Sequence, residues 1–274
     1  MKTIKSKILV TLIIIFFIIG FSTSAKSIMD LPVFGPKEST IPTAELPTEI
    51  NPLSVVYPEN LEEHRFQTKE YVKSYSIKKR EYIMHIFSKG EKYFSKAIHI
   101  LDKYNVPEEL QMIPVLESDF NSNAVSPVGA VGYWQFMAEL AKEYGLRTNG
   151  KYDERKNFEK STIAASRFFG DQLDYFHEDL LLAVASYNCG QGRVRLALKK
   201  SGKVDANFWD IKKYLPFETR KFVMDFIALN VIAANYDKFL DKKLDFNEPP
   251  LTPLIQIAST DSLKANDSLT VKAL

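Results

Sequence analysis

Pro107-Glu108-Glu109-Leu110-Gln111-Met112-Ile113-Pro114-Val115-Leu116-Glu117-Ser118-Asp119 opens like a helix start and continues on a helical period. A proline at the first helical position loses only a donor that has no partner there, and the two acids beside it complement the positive end of the helix. Leu110, Ile113 and Glu117 then fall at spacings of three and four, so they share one face and Glu117 extends the stripe that points at the core. Pro114 removes another donor and predicts a kink just before Glu117. Partial burial disfavours an ionised carboxylate, raises its pKa and keeps a proton available near neutral pH. A lone buried glutamate more often just pairs with a lysine or arginine, so the residues around Glu117 decide between the two.

Helical periodicity recurs over residues 68–104, 107–119, 160–176, 178–188 and 216–239, with Gly, Pro and Asn between the segments. Pro216 with Glu218 repeats the helix opening seen at Pro107. The core therefore reads as all-α, with room for a minor β element only. Tyr71 to Tyr75 and Leu251 to Ile257 have strand-like composition, but neither alternates or meets a hairpin signal.

Residues 1–25 read as a three-part export signal. Lys2, Lys5 and Lys7 supply charge, Ile8 to Phe21 are almost wholly apolar, and Thr23-Ser24-Ala25 offers small residues, with cleavage expected after Ala25. The apolar run is shorter than the ~18 to 20 residues that span a bilayer. Residues 26–60 meet proline at Pro32, Pro36, Pro42, Pro47, Pro52 and Pro58 and read as a linker or a surface-hugging arm. One helical domain is expected over residues 61–244, followed by a polar tail over 245–274 that begins near Pro249, Pro250 and Pro253.

A formal charge of +2 with the two signs interspersed gives no continuous basic field, which argues against nucleic acid as a partner. Cys189 is the only cysteine, so no intramolecular disulfide can form and no thiol stands near the cleavage site for lipidation. His64, His85, His99 and His177 lack the spacings that bring two ligands to one metal. Neither a metal nor another cofactor is expected.

Three further patches accompany Glu117. Ser118 and the polar segment Asn121 to Ser126 follow it directly, and Gly129-Ala130-Val131-Gly132-Tyr133-Trp134-Gln135-Phe136-Met137 sets two glycines beside aromatic rings and an amide. Sugars suit such a surface, because their C–H faces lie on rings while their hydroxyl and acetamido groups need fixed polar partners. Tyr133, Trp134 and Phe136 are equally at home in a core, Phe136 most of all. The segment Ala185 to Gly192 ends an apolar helix with Tyr187 and Asn188, where Gly190 supplies the stop. Leu215-Pro216-Phe217-Glu218-Thr219-Arg220-Lys221-Phe222-Val223 opens the last long helix, where Glu218 suits a cap or an ion pair better than catalysis.

In this order the patches resemble the family 1 lytic transglycosylases, whose catalytic domain is similar to goose-type lysozyme. The resemblance spans roughly residues 95–240. It rests on Glu117-Ser118-Asp119-Phe120, Gly132-Tyr133-Trp134-Gln135, Ser186-Tyr187-Asn188-Cys189-Gly190 and Glu218-Thr219-Arg220-Lys221-Phe222-Val223. Tryptophan before the glutamine, together with Leu-Pro-x-Glu-Thr-Arg, looks most like the membrane-bound transglycosylase D branch. Ala138 replaces a usual proline, Phe222 a tyrosine, and Ser186 and Cys189 alanines.

The resemblance implies a peptidoglycan substrate and an export destination in the periplasm. It also implies that Glu117 is the single catalytic acid, cleaving the bond between N-acetylmuramic acid and N-acetylglucosamine with closure of a 1,6-anhydro ring. Ser118 and Gln135 are expected to position sugar or acetamido groups, and Tyr133 and Trp134 to line the sugar site. Tyr187 is expected to orient Glu117 or the acetamido group, and Asn188 to maintain that arrangement. Two alternatives stay open: a hydrolytic muramidase with Asp119 or Glu218 as second acid, and a silent peptidoglycan-binding protein.

Overall fold

Helices with one apolar stripe must bury it against one another, and here they assemble around one helix buried along most of its length. The computed structural model describes residues 54–149 and 152–247. The expected export signal, most of the proline-rich stretch and the tail from residue 248 lie outside the described residues.

The helices are α1 (Arg65–Lys78), α2 (Arg80–Lys103), α3 (Ile113–Ser118), α4 (Ala138–Glu143), α5 (Phe158–Tyr175), α6 (Leu180–Cys189), α7 (Gln191–Ser201), α8 (Phe208–Ile211), α9 (Phe217–Ala234) and α10 (Tyr236–Leu240). Short 3-10 turns lie at Glu59–His64, Glu108–Met112, Glu154–Lys156 and Lys212–Tyr214. Among the described residues there is no strand, only the isolated bridges Ser54 to Asp245, Val125 to Val131 and Val131 to Phe136.

At the centre is α9, where Val223, Phe226, Ile227, Ala228, Leu229, Val231 and Ile232 are all buried. A helix buried along most of its length needs neighbours on several sides, and α9 packs on α1, α3 and α6. Caps mark the helix starts. Asn157 accepts from Lys160 N, Asp179 from Leu182 N, and Asn207 with Asp210 forms a capping box before α8.

Two expected helices are divided. The 68–104 segment breaks at Lys79, and Arg80 directs its guanidinium to the carbonyls of Phe239 and Leu240 at 2.5 and 2.8 Å. Those carbonyls end α10 and have no partner within it, so the break lets one cation satisfy them. The 107–119 segment begins as a 3-10 turn and restarts as an α-helix at Ile113, which puts Pro114 in a first turn where its missing donor costs nothing.

The end of the proline-rich stretch belongs to the fold. Val55 and Tyr57 are buried, Val55 N donates to Asp245 O at 3.0 Å, and Asn235 brackets Val56 through both its N–H and its carbonyl. Tyr71 to Tyr75 lie within α1, whereas Leu251 to Ile257 fall outside the described residues.

Candidate active site

Glu117 stands in the last turn of α3, below Leu110 and Ile113, both fully buried. The helix ends abruptly because Asp119 and Phe120 take left-handed backbone angles, φ 50° and 53°. Such angles cost an ordinary L-residue about 1 kcal/mol each and persist only where packing enforces them. Phe120 is locked by Tyr93, stacked at 4.9 Å, and by Phe94, edge-on at 5.3 Å. Asp119 is held by Tyr82, whose hydroxyl donates to its carboxylate at 2.5 Å, and by Lys89, which donates to its carbonyl at 2.6 Å.

Residues 121–137 fold over Glu117 as an irregular loop pinned through its carbonyls. Ser118 Oγ donates to Tyr133 O at 2.8 Å and Tyr187 Oη to Trp134 O at 2.5 Å. Gln135 Nε2 donates to Gly132 O at 2.8 Å and Ala124 O at 3.1 Å, and Arg155 Nη1 donates to Phe136 O at 3.0 Å and Gly129 O at 3.3 Å. Gly132, at φ 86°, lets the loop press against this arginine's own backbone, since a Cβ there would stand 2.0 Å from Arg155 O.

Burial pushes the Glu117 carboxyl up to about 8. Among the described residues nothing hydrogen-bonds or ion-pairs with that carboxyl, so desolvation acts without compensation. Tyr187 is its close electrostatic neighbour: burial first, and the Glu117 charge second, hold its phenol well above the ordinary tyrosine range. The Tyr187 ring is fixed by stacking on Phe169 at 5.0 Å and edge contacts with Phe136 and Phe168. Gly190, at φ 85°, then ends α6 and leaves Asn188 exposed, its Oδ1 accepting from Thr219 Oγ1 at 2.8 Å.

The structure thus gathers Glu117, Ser118, Tyr133, Gln135 and Tyr187 around one loop and ties Asn188 to the start of α9. Trp134 is a correction. Its indole is fully buried and donates to Thr162 Oγ1 at 3.0 Å, so it offers no face to a sugar and only its carbonyl serves the site. Ser118 and the Gln135 amide nitrogen are engaged with backbone carbonyls, which makes them loop-positioning groups. Tyr133 is almost buried, its hydroxyl 3.1 Å from that of Tyr93. Sequence reasoning missed Arg155, which carries no periodic signal, and Thr219, which was quoted without a role. Glu218 is exposed. Among the described residues no cluster of three or more His, Cys, Asp or Glu side chains could hold a metal ion.

A helical domain with an unpaired, half-buried glutamate beside a pinned loop is the arrangement of a lysozyme-like transglycosylase domain. Residues 95–209 match the Transglycosylase SLT domain, and the domain belongs to that family. Membrane-bound lytic murein transglycosylase D of Escherichia coli strain K12 is 33% identical over 189 residues, which cover 68% of this chain and 40% of that protein. Membrane-bound lytic murein transglycosylase F of Shewanella loihica is 33% identical over 116 residues, 39% of this chain and 23% of that one. The chain thus spans less than half the length of either relative. Among solved structures, lytic transglycosylase Slt from Pseudomonas aeruginosa aligns over 53% of this chain and 24% of its own, with a TM-score of 0.44 and 23% identity.

Proposed function

We propose that this protein is a peptidoglycan lytic transglycosylase in which Glu117 is the single acid and base. The observation that carries this is the Glu117 carboxyl itself, protonated up to about pH 8 by burial and free of any partner among the described residues. A carboxylic acid kept neutral at working pH is what protonation of a glycosidic oxygen requires.

Glu117 gives its proton to the oxygen linking N-acetylmuramic acid to N-acetylglucosamine. The bond from that oxygen to the muramic anomeric carbon breaks, and the N-acetylglucosamine side leaves as an alcohol. The substrate's acetamido oxygen stabilises the positive charge at the anomeric carbon, so a second carboxylate is not needed. The C6 hydroxyl of the same sugar then attacks that carbon and returns its proton to Glu117, which closes the anhydro ring and restores the acid without consuming water. Tyr187, which donates its hydroxyl to Trp134 O, fixes the backbone beside Glu117 where the acetamido group would lie. Gln135 holds the surrounding backbone, and Asn188 is held by the Thr219 hydroxyl at the start of α9.

The hydrolytic alternative needs a second acid to activate water. Asp119 is engaged by Tyr82, and Glu218 stands exposed at the start of α9. Neither arrangement favours it. Export by residues 1–25 and a periplasmic location complete the proposal, with cell fractionation as their test.

Incubation of the protein with purified peptidoglycan, with mass spectrometry of the released ends, tests the reaction. Anhydro ends that vanish in Glu117→Gln are expected. Reducing ends, heavier by one water, would overturn the transglycosylase assignment in favour of hydrolysis.

A further inference from the structure

The element Glu218-Thr219-Arg220-Lys221 is only partly explained by the site above. Thr219 serves Asn188, and Lys221 pairs with Asp225 one turn on. Arg220 does neither. Its Nε is the one buried side-chain nitrogen or oxygen without a hydrogen-bond partner among the described residues. Its guanidinium lies 5.6 Å from the ring centre of Phe217, and no acid among the described residues pairs with it.

A second cation faces the same space. The Lys212 ammonium lies 3.2 Å from Met224 Sδ and 4.9 Å from the Trp209 ring centre, also without an acid. Burial, and then the Arg220 charge, push the Lys212 ammonium down from its ordinary value. Two cations that desolvate and repel one another with no anion between them are an unbalanced arrangement, and a bound anion would balance it. Asp225, the nearby acid, is already engaged by Lys221 and by Tyr71, whose hydroxyl donates at 2.5 Å.

Tyr71, Lys212, Phe217, Arg220, Lys221 and Met224 line a cleft of about 400 Å³. Phe217, 70% exposed at its rim, gives an apolar surface beside the charges. One hydrogen bond ties the cleft to the residues around Glu117: Thr219, next to Arg220, donates its hydroxyl to Asn188 Oδ1, next to Tyr187.

We propose that this cleft is an anion subsite, in which Arg220 and Lys212 bind a carboxylate borne by a substituent of the glycan strand as it lies across Glu117. The proposal rests on the reading of the protein as a peptidoglycan enzyme. A guanidinium fork with an ammonium beside it matches a carboxylate, and the exposed Phe217 takes the apolar atoms next to that group.

The test compares two soluble peptidoglycan fragments, one native and one whose carboxylates have been converted to amides with carbodiimide and ammonia. Binding is measured by calorimetry to the Glu117→Gln protein, which does not consume them. Amidation is expected to weaken binding about tenfold in that protein. In the same protein carrying Lys212→Met and Arg220→Met the difference should shrink to about twofold or less, whereas Arg220→Lys should keep most of it. Lys212→Met alone should remove part of the difference, which keeps the test open if the Arg220 variant folds poorly. Equal binding of the two fragments by the Glu117→Gln protein, or an undiminished difference in the double variant, overturns the subsite. Failure of the unmodified protein to release anhydro ends would instead overturn the reaction.

Discussion

Glu117 couples both activity and stability to pH through one proton. An unfolded glutamate titrates near 4.5, whereas here burial keeps the proton up to about 8. The acid form is the proton donor, so kcat/KM is expected to fall as pH rises through about 8, toward a tenfold loss per pH unit. A pH–rate profile flat to pH 10 would rule out this donor. Stability follows the same proton. Between those two values the folded state holds more protons than the unfolded one, so the contribution present below about 4.5 declines as pH rises and is gone above about 8. Glu117→Gln cannot ionise, and it is expected to exceed the parent by roughly 2 kcal/mol at pH 9 but not at pH 4, measured by urea unfolding. At Tyr187 the expectation is narrower. Tyr187→Phe deletes a buried donor to Trp134 O and should cost roughly 1–3 kcal/mol of stability together with a drop in kcat.

At the scale of elements, the loop over Glu117 has only isolated bridges and turn bonds of its own and is held besides by Arg155. That side chain is itself buried and pairs with Asp153 at 2.6 Å. Arg155→Met would release Phe136 O and Gly129 O and leave Asp153 without its partner, so a loss of roughly 3 kcal/mol and a kcat reduced about tenfold are expected from unfolding and initial-rate measurements. Unchanged kcat in a destabilised variant would show that the clamp is structural only. Gly132→Ala forces a Cβ onto Arg155 O and should cost at least as much.

Why some elements could be read in the sequence and others could not follows from burial. Helices α6 and α9 are dense with apolar residues and were legible, as was Glu117, because a carboxylate on an apolar stripe breaks the pattern. By contrast α7 buries only Val194 and Ala197, and α4 only Ala141, so neither carries a periodic signal. The break at Lys79 answers to carbonyls some 160 residues away in sequence. Trp134 was misread because an irregular loop has no period to say which side chain faces inward, and Arg155 escaped because the Phe136 and Gly129 carbonyls it holds leave no mark in the residue types.

For the molecule as a whole, the notable joint is where the two ends of the described domain meet. Asn235, near the end of the central helical layer, accepts from Val56 N at 2.9 Å and donates to Val56 O at 2.6 Å and Val231 O at 2.7 Å. Asn235→Ala removes the partner of the part-buried Val56 N–H and carbonyl and of the buried Val231 carbonyl. A loss of roughly 2–4 kcal/mol is expected, with faster amide exchange across residues 54–60 than in α9. Uniform exchange through both regions would mean that the segment is no separate unit.

The bridge between Ser54 and Asp245 is parallel, and Lys238 reinforces it by donating to Ser54 O at 2.6 Å. At a parallel bridge, tension applied through the preceding and following chain draws the two segments past each other, so the few bonds at this seam are loaded together. Handles placed at the two ends of the described domain should therefore load this seam first in an optical trap, with the rupture force lowered by Asn235→Ala. A domain joined this way is loaded in shear at the seam where its two ends meet.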